Sequence, residues 1–241
     1  MTGIILAGGQ SKRMRGGNKA FLRLGESSII ETIVAVLSSI FPEVIIVTRS
    51  LMDYQGLGCR VVLDVGEASG ALTGLFSGLN EATTRYAFFV ACDMPFLQPG
   101  LIRYMVSLLE EGRGQGYDVL VPKMEEGYQP LHAIYSKGCL PAIVRQLREG
   151  NQRIFDFFPC VRLREISREE LTRFDPDLLS FFNINTPESL EMAKMLYQRS
   201  KDNYGSHCFH RWKIRQRQDH LSGEADPRID PEGLPGGDDQ A

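Results

Sequence analysis

GIILAGGQSKRMRGGNKAF, residues Gly3–Phe21, joins an apolar run, Gly3–Ala7, to a loop rich in glycine and positive charge. Gly8, Gly9, Gly16 and Gly17 fall in the loop, and so do Lys12, Arg13, Arg15 and Lys19. Such a stretch is a poor helix and a poor strand. In an open α/β sheet, ligands bind outside the carboxyl ends of the strands, and this loop leaves the first strand at such an end. Glycines there let backbone N–H groups come close to an anion. The four cations add full charges, and an arginine grips two phosphate oxygens at once. The combination suits a triphosphate. Two better-known phosphate loops are excluded: Lys19 follows Asn18 and precedes Ala20, which breaks the Walker A pattern, and the dinucleotide fingerprint GxGxxG is absent.

Outward from this loop the chain alternates between two periods. Apolar, β-branched or aromatic runs of strand length occur at Gly3–Ala7, Val44–Thr48, Arg60–Leu63, Tyr86–Cys92, Asp118–Val121, Leu131–Tyr135 and Phe181–Ile184. Several are apolar throughout, as strands covered on both faces are. Helix-period segments lie between them, over Ser28–Ile40, Leu72–Ala82, Pro99–Glu110, Leu140–Arg148 and Pro187–Arg199. Thr186 and Pro187 suit the N-cap and first position of the last. The alternation predicts an α/β fold of three layers with a largely parallel, mixed sheet.

The 241 residues, 43% hydrophobic and 24% charged, fit one soluble globular domain. A net charge of −3 argues against bulk attachment to nucleic acid or membrane, so the local density of cations is the informative feature. The five cysteines form no CxxC pair, and no apolar run suggests a signal or a membrane span. A cytoplasmic protein is expected. The domain is expected over residues 1–199. Residues 200–241 form a polar tail with a basic stretch, His210–Arg217, and too little apolar surface to offset the entropy of ordering. His207, Cys208 and His210 in that tail lack a fourth partner and are read as incidental.

Residues 3–195 closely resemble the molybdenum cofactor guanylyltransferases, also called molybdopterin-guanine dinucleotide synthases, the MobA family of nucleotidyltransferases. The family's loop runs Leu-Ala-Gly-Gly, two further residues, a basic residue, Arg-Met-Gly and a lysine a few positions on. Here it reads Leu6-Ala7-Gly8-Gly9-Gln10-Ser11-Lys12-Arg13-Met14, ending at Lys19, with Arg15 in place of the glycine after the methionine. The resemblance implies a Rossmann-like domain, with Leu6, Ala7, Gly8, Gly9 and Lys19 on the nucleotide and Arg13 and Lys19 acting on its phosphates.

Three further segments extend the resemblance. Cys92-Asp93-Met94-Pro95 matches the family's Cys-Asp-x-Pro, whose aspartate binds the metal. Asp93 is thus the implied Mg²⁺ ligand and the third catalytic residue, and the chemistry suits a hard oxygen ligand. Asp64 closes a strand where the family has an aspartate contacting the guanine nucleotide, and Gly70-Ala71-Leu72-Thr73-Gly74 matches its Gly-x-Leu-x-Gly. Asn183 and Asn185, in the family's Asn-x-Asn-Thr-Pro-Glu, are two apart and share a side-chain direction if the segment is a strand; polar pterin edges would satisfy them. Arg153 is a candidate for the pterin phosphate. Gln129, Pro130 and His132 fall on an expected edge of the pocket, His132 itself reading as a core residue. Where the family often has asparagine near the end of the second strand this chain has Val47-Thr48-Arg49, so a base or ribose contact is either lost or replaced by Thr48.

The implied activity is transfer of GMP from GTP to the terminal phosphate of molybdopterin, with release of pyrophosphate. GTP and molybdopterin are the expected partners, with transient contacts to other cofactor-biosynthesis proteins or molybdoenzymes, and neither nucleic acid nor membrane. The alternatives are a related transferase using CTP or another phosphorylated acceptor, and a non-catalytic nucleotide-binding regulator. Related cytidylyl enzymes tend to read Leu-Ala-Ala-Gly, so the missing Cβ at Gly8 favours the larger purine.

Overall fold

Thr2–Leu6 forms the first strand, β1, and every one of its residues is buried. The computed structural model describes residues 1–8, 18–64, 70–111 and 116–203. By internal contacts it divides into two units, Met1–Lys194 and Met195–Ala241. Of the second unit only residues 195–203, the last part of a helix, are described. The sheet and the cavity belong to the first.

After β1 a two-residue-per-strand hairpin, β2 (Arg23–Leu24) and β3 (Ser27–Ser28), leads into α1 (Ile29–Ser38). Ser28 starts that helix with a capping box: its Oγ accepts from the Glu31 N–H, and Glu31 Oε2 accepts from the Ser28 N–H at 2.7 Å. Then come β4 (Glu43–Thr48), β5 (Arg60–Leu63), α2 (Ala71–Glu81), β6 (Tyr86–Ala91) and α3 (Pro99–Glu111). The second half supplies β7 (Val119–Met124), β8 (Gly127–Tyr128), β9 (His132–Ser136) and α4 (Leu140–Arg148). It ends with β10 (Leu163–Ile166), α5 (Arg168–Thr172) and α6 (Pro187–Asn203).

The main sheet has the order β10-β7-β9-β6-β1-β4-β5, with β8 paired to β7. β1 is parallel to both neighbours, β4 to β5, and β7 to β10; β9 runs antiparallel between β6 and β7. The mixed, mostly parallel sheet is the one expected. The chain winds from β1 toward β5 and then returns to place β6 on the other side of β1. That reversal opens a crevice at the carboxyl ends of β1 and β6, where α/β folds bind ligands.

Helices cover both faces. On one, Leu72, Leu75 and Leu79 of α2 and Ile143 of α4 join Ile4, Leu6, Ile45, Val47 and Phe89 of the sheet in one core cluster. α2 lies unusually close: a Cβ on Gly78 would stand 2.8 Å from Ile4 Cγ2 and 2.9 Å from Phe89 Cε1. This approach brings the N-terminus of α2 to the crevice. α1 packs on the opposite face, where a Cβ on Gly3 would meet Phe41 at 2.8 Å and Leu37 at 3.3 Å. Among the described residues no helix is long and apolar enough to cross a membrane.

One expectation needs correction. Phe181–Ile184 is not a strand: Leu179–Phe181 is a 3-10 turn and the residues after it are irregular. Their apolar character serves burial, since Ile184 is fully buried, while one bond from its N–H to the Asp93 carbonyl (3.0 Å) replaces a ladder. Conversely β10 was not foreseen, because Arg164 and Glu165 break its apolar run. Both charges are paired, Arg164 with Glu170 and Glu165 with Lys123 at 2.9 Å.

Candidate active site

The crevice is a cavity of about 430 Å³ at the carboxyl ends of the parallel strands. Leu6 and Gly8 line it from the end of β1, and Cys92 and Asp93 from the end of β6. Asp64 reaches it from the end of β5, and Gly70 and Gly74 from the start of α2. Asn183, Asn185, Gln129 and Pro130 close the remaining side. Most of the residues singled out from sequence thus converge on one place.

Others behave otherwise; Lys19 stands beside the cavity and is not among the residues that line it. Ala7 does not line the cavity but continues β1, its N–H donating to the Val47 carbonyl at 2.8 Å. Arg153 is exposed and outside the cavity wall; its backbone caps the turn Ile154–Cys160, with its N–H donating to Asn151 Oδ1 at 2.9 Å. Gly9 and Arg13, like Lys12, Arg15 and the tail residues His207, Cys208 and His210, lie outside the described residues.

Asp93 is held by its main chain. The Cys92 N–H donates to the Leu6 carbonyl (3.1 Å), extending the β1–β6 pairing to the threshold of the aspartate. The Asp93 carbonyl accepts from the Ile184 N–H. The side chain is left over: Oδ1 is buried with no hydrogen-bond partner. A buried, unpaired carboxylate oxygen is costly. Burial accordingly raises the carboxyl's pKa, and the nearby Lys19 ammonium opposes that rise. A cation at Oδ1 would meet the unmet demand, so the residue present fits a metal. Among the described residues no three His, Cys, Asp or Glu side chains gather, so Asp93 is the ligand that these residues offer.

Lys19 completes this corner. Asn18 caps the 3-10 turn Lys19–Phe21 by accepting from the Ala20 N–H at 3.2 Å. Lys19 Nζ donates to Asn185 Oδ1 at 2.9 Å. Asn183 and Asn185 both face the cavity with Ile184 buried between them, so the shared direction expected of a strand holds without one. Asn183 Nδ2 donates to the Phe181 carbonyl at 3.1 Å.

The opposite wall is organised by Asp64. Its N–H donates to the Thr48 carbonyl at 2.8 Å, extending the β4–β5 pairing, and Ser77 Oγ donates to its Oδ1 at 3.1 Å. Arg49 Nε stands 3.8 Å from Oδ2. Thr48 itself is buried and takes no part in the cavity wall; its Oγ1 accepts from the Ser50 N–H at 3.2 Å. Gly70 makes room for a residue not foreseen, Gln152. A Cβ there would stand 2.3 Å from Gln152 Oε1, which accepts from Thr73 Oγ1 at 3.0 Å. No local signal links residues 82 positions apart, 70 and 152, so only the fold brings this pair together. Cys92 offers no nucleophile: burial pushes its thiol up to about 12. The chemistry available is therefore charge neutralisation and positioning.

Residues 3–165 match the MobA-like NTP transferase domain. The chain belongs to this family of nucleotidyltransferases. It is 41% identical over 194 residues to a protein of Desulfosudis oleivorans named molybdenum cofactor guanylyltransferase, a match covering 80% of this chain and 94% of the relative. Its structure resembles that of molybdopterin-guanine dinucleotide biosynthesis protein A from Archaeoglobus fulgidus, with a TM-score of 0.71 and 27% identity over 83% of this chain and 100% of that one. The 2-C-methyl-D-erythritol 4-phosphate cytidylyltransferase of Thermus thermophilus shares the fold (TM-score 0.59, 15% identity, 81% and 98% of the two chains). The likeness to this last protein is one of fold alone.

Proposed function

We propose that this chain transfers GMP from GTP to the terminal phosphate of molybdopterin, releasing pyrophosphate. One observation carries the reading: Asp93, whose carboxylate keeps one buried oxygen without a hydrogen-bond partner, lines the cavity near Lys19 and the end of β1. In the transfer, an oxygen of the acceptor phosphate bonds to the α-phosphorus of GTP while the bond to the β-phosphate's bridging oxygen breaks. A phosphate monoester is largely ionised near neutral pH, its second pKa being about 6. No protein base is then needed, which agrees with a cavity wall that among the described residues has neither a thiolate nor a histidine.

What the residues supply is electrostatics and orientation. Lys19, with Arg13, neutralises the triphosphate, and Leu6, Gly8 and Gly9 let the main chain approach it. Asp93 would hold Mg²⁺, which when bound supplies positive charge to the phosphate oxygens. Asp64 Oδ2, the oxygen not engaged by Ser77, is the acceptor offered to the N–H groups of guanine. Asn183 and Asn185 face the polar edge of the pterin, whereas Arg153, outside the cavity wall, is left without a role at its phosphate. Release of pyrophosphate from GTP, CTP and ATP, measured with and without molybdopterin, tests the whole assignment. The expected result is release from GTP that requires molybdopterin. Preference for CTP, or turnover indifferent to molybdopterin, would overturn it.

A further inference from the structure

Tyr54 lies outside the cavity wall and outside every sequence motif of the site. It ends the 3-10 turn Met52–Tyr54 between β4 and β5 and is 1% exposed. Its ring packs against Phe21, with centroids 5.1 Å apart. Its hydroxyl accepts from Asn18 Nδ2 at 2.8 Å and leans toward the Ala7 carbonyl at 3.5 Å, the same carbonyl that Thr48 Oγ1 approaches at 3.5 Å. Burial pushes the phenol up to about 12, so it keeps its proton and its capacity to donate.

Ala7 and Asn18 are the residues on either side of the cationic loop, and Asn18 immediately precedes Lys19. The phenol therefore ties the end of β1 to the start of the turn that carries Lys19. Phe21, at the far end of that turn, rests on the same ring. Lys19 in turn reaches Asn185, which sits one residue beyond the Ile184–Asp93 bond. We propose that Tyr54 is a positioning residue for nucleotide transfer, its hydroxyl holding the Asn18–Lys19 corner so that the lysine ammonium is fixed over the triphosphate; this rests on the proposed use of GTP. The cost of ordering a long cationic side chain is then met before the nucleotide arrives, which is how preorganisation raises affinity and rate.

Tyr54→Phe tests this, because it keeps the buried ring and the Phe21 contact and removes one oxygen. Asn18 is exposed, so water replaces the lost partner and the variant folds. Loss of one hydrogen bond predicts about a three- to ten-fold fall in kcat/KM for GTP. The fall lies in the KM for GTP, with the KM for the acceptor unchanged. Asn18→Ala should give at least as large a loss, because it also removes the cap on the Ala20 N–H, and the double variant should lose clearly less than the product of the two single losses, since they share the Asn18–Tyr54 bond. A general loosening of the fold would instead raise both KM values and make the two losses additive, and either result overturns the proposal. Calorimetric binding of inorganic tripolyphosphate supplies a readout free of base and acceptor. Weaker binding in Tyr54→Phe than in the parent supports the tie even where guanylyl transfer itself is disproved. Equal binding, or none by the parent, overturns it.

Discussion

Asp93 and His132 are both buried, and each leaves side-chain atoms without a hydrogen-bond partner: Oδ1 of the aspartate, both ring nitrogens of the histidine. They stand near each other in the sheet, since His132 pairs with Val90 of β6 and Asp93 follows that strand. Their surroundings differ. Asp93 faces the cavity and a lysine, whereas His132 is walled in by Phe88 and Phe181, with ring centroids 5.0 and 4.9 Å away. An unmet polar atom therefore points to a ligand only where there is room for one. Where there is none, the group gives up its charge: burial lowers the histidine's pKa to about 3 and leaves it a neutral ring among rings.

The largest effect is expected at the first of these residues. Asp93→Asn keeps the shape and removes the charge. It should lower transfer activity at saturating Mg²⁺ by about 100-fold or more, a loss of several kcal/mol of charge stabilisation. The melting temperature should stay the same or rise, because a buried carboxylate no longer has to be held without a partner. Activity equal to the parent's would remove the metal assignment, and an unfolded variant would make the carboxylate structural.

The second residue yields a pH prediction. With a folded pKa of about 3 and an unfolded value of about 6.5, His132 takes up a proton in the unfolded chain first as pH falls. Its contribution to stability is whole above pH 6.5 and is lost progressively toward pH 3. By pH 5 the loss is about 2 kcal/mol, at about 1.36 kcal/mol per pH unit. Denaturant unfolding of parent and His132→Leu at pH 7 and pH 5 measures it. The variant should lose less stability than the parent over that interval. Equal losses would mean that the ring finds a partner or a charge on folding.

The same distinction explains how far the sequence could be read. Strands β1, β4 and β6 are covered on both faces, so they carry continuous apolar runs and stand out in the sequence. Strand β10 does not, because half its residues are charges whose partners, Glu170 and Lys123, come from elsewhere in the chain. Phe181–Ile184 misled for the opposite reason: it is apolar because Ile184 is buried, but its main chain bonds within its own turn and to Asp93 and pairs with no strand. The residues that face the cavity were accessible through motif, since their neighbours in sequence repeat a known pattern. Tyr54 and Gln152, which support that wall from behind, carry no such pattern. Their roles rest on contacts of long range, Tyr54 with Asn18 and Gln152 with Thr73.

Gly8 sharpens the comparison at its smallest scale. Among the described residues a Cβ there would meet one atom, Asp64 Oδ2, at an ordinary 3.5 Å, whereas one on Gly78 would be driven into Ile4 and Phe89. Gly78 is glycine because the core is full; at Gly8 the described residues leave space, and a substitution there tests for a requirement set by what enters. Gly8→Ala should fold with nearly the parent's stability. Its methyl would stand beside the Asp64 oxygen assigned to guanine, so GTP should suffer more than CTP. One added methyl in a pocket is worth about 1–3 kcal/mol. Since the wall here is open, the lower end applies, about five-fold between the two nucleotides. Transfer rates with GTP and CTP for parent and variant decide it. Equal losses would assign Gly8 to the approach of the main chain to phosphate, and base choice would then rest on Asp64 without help from its neighbour.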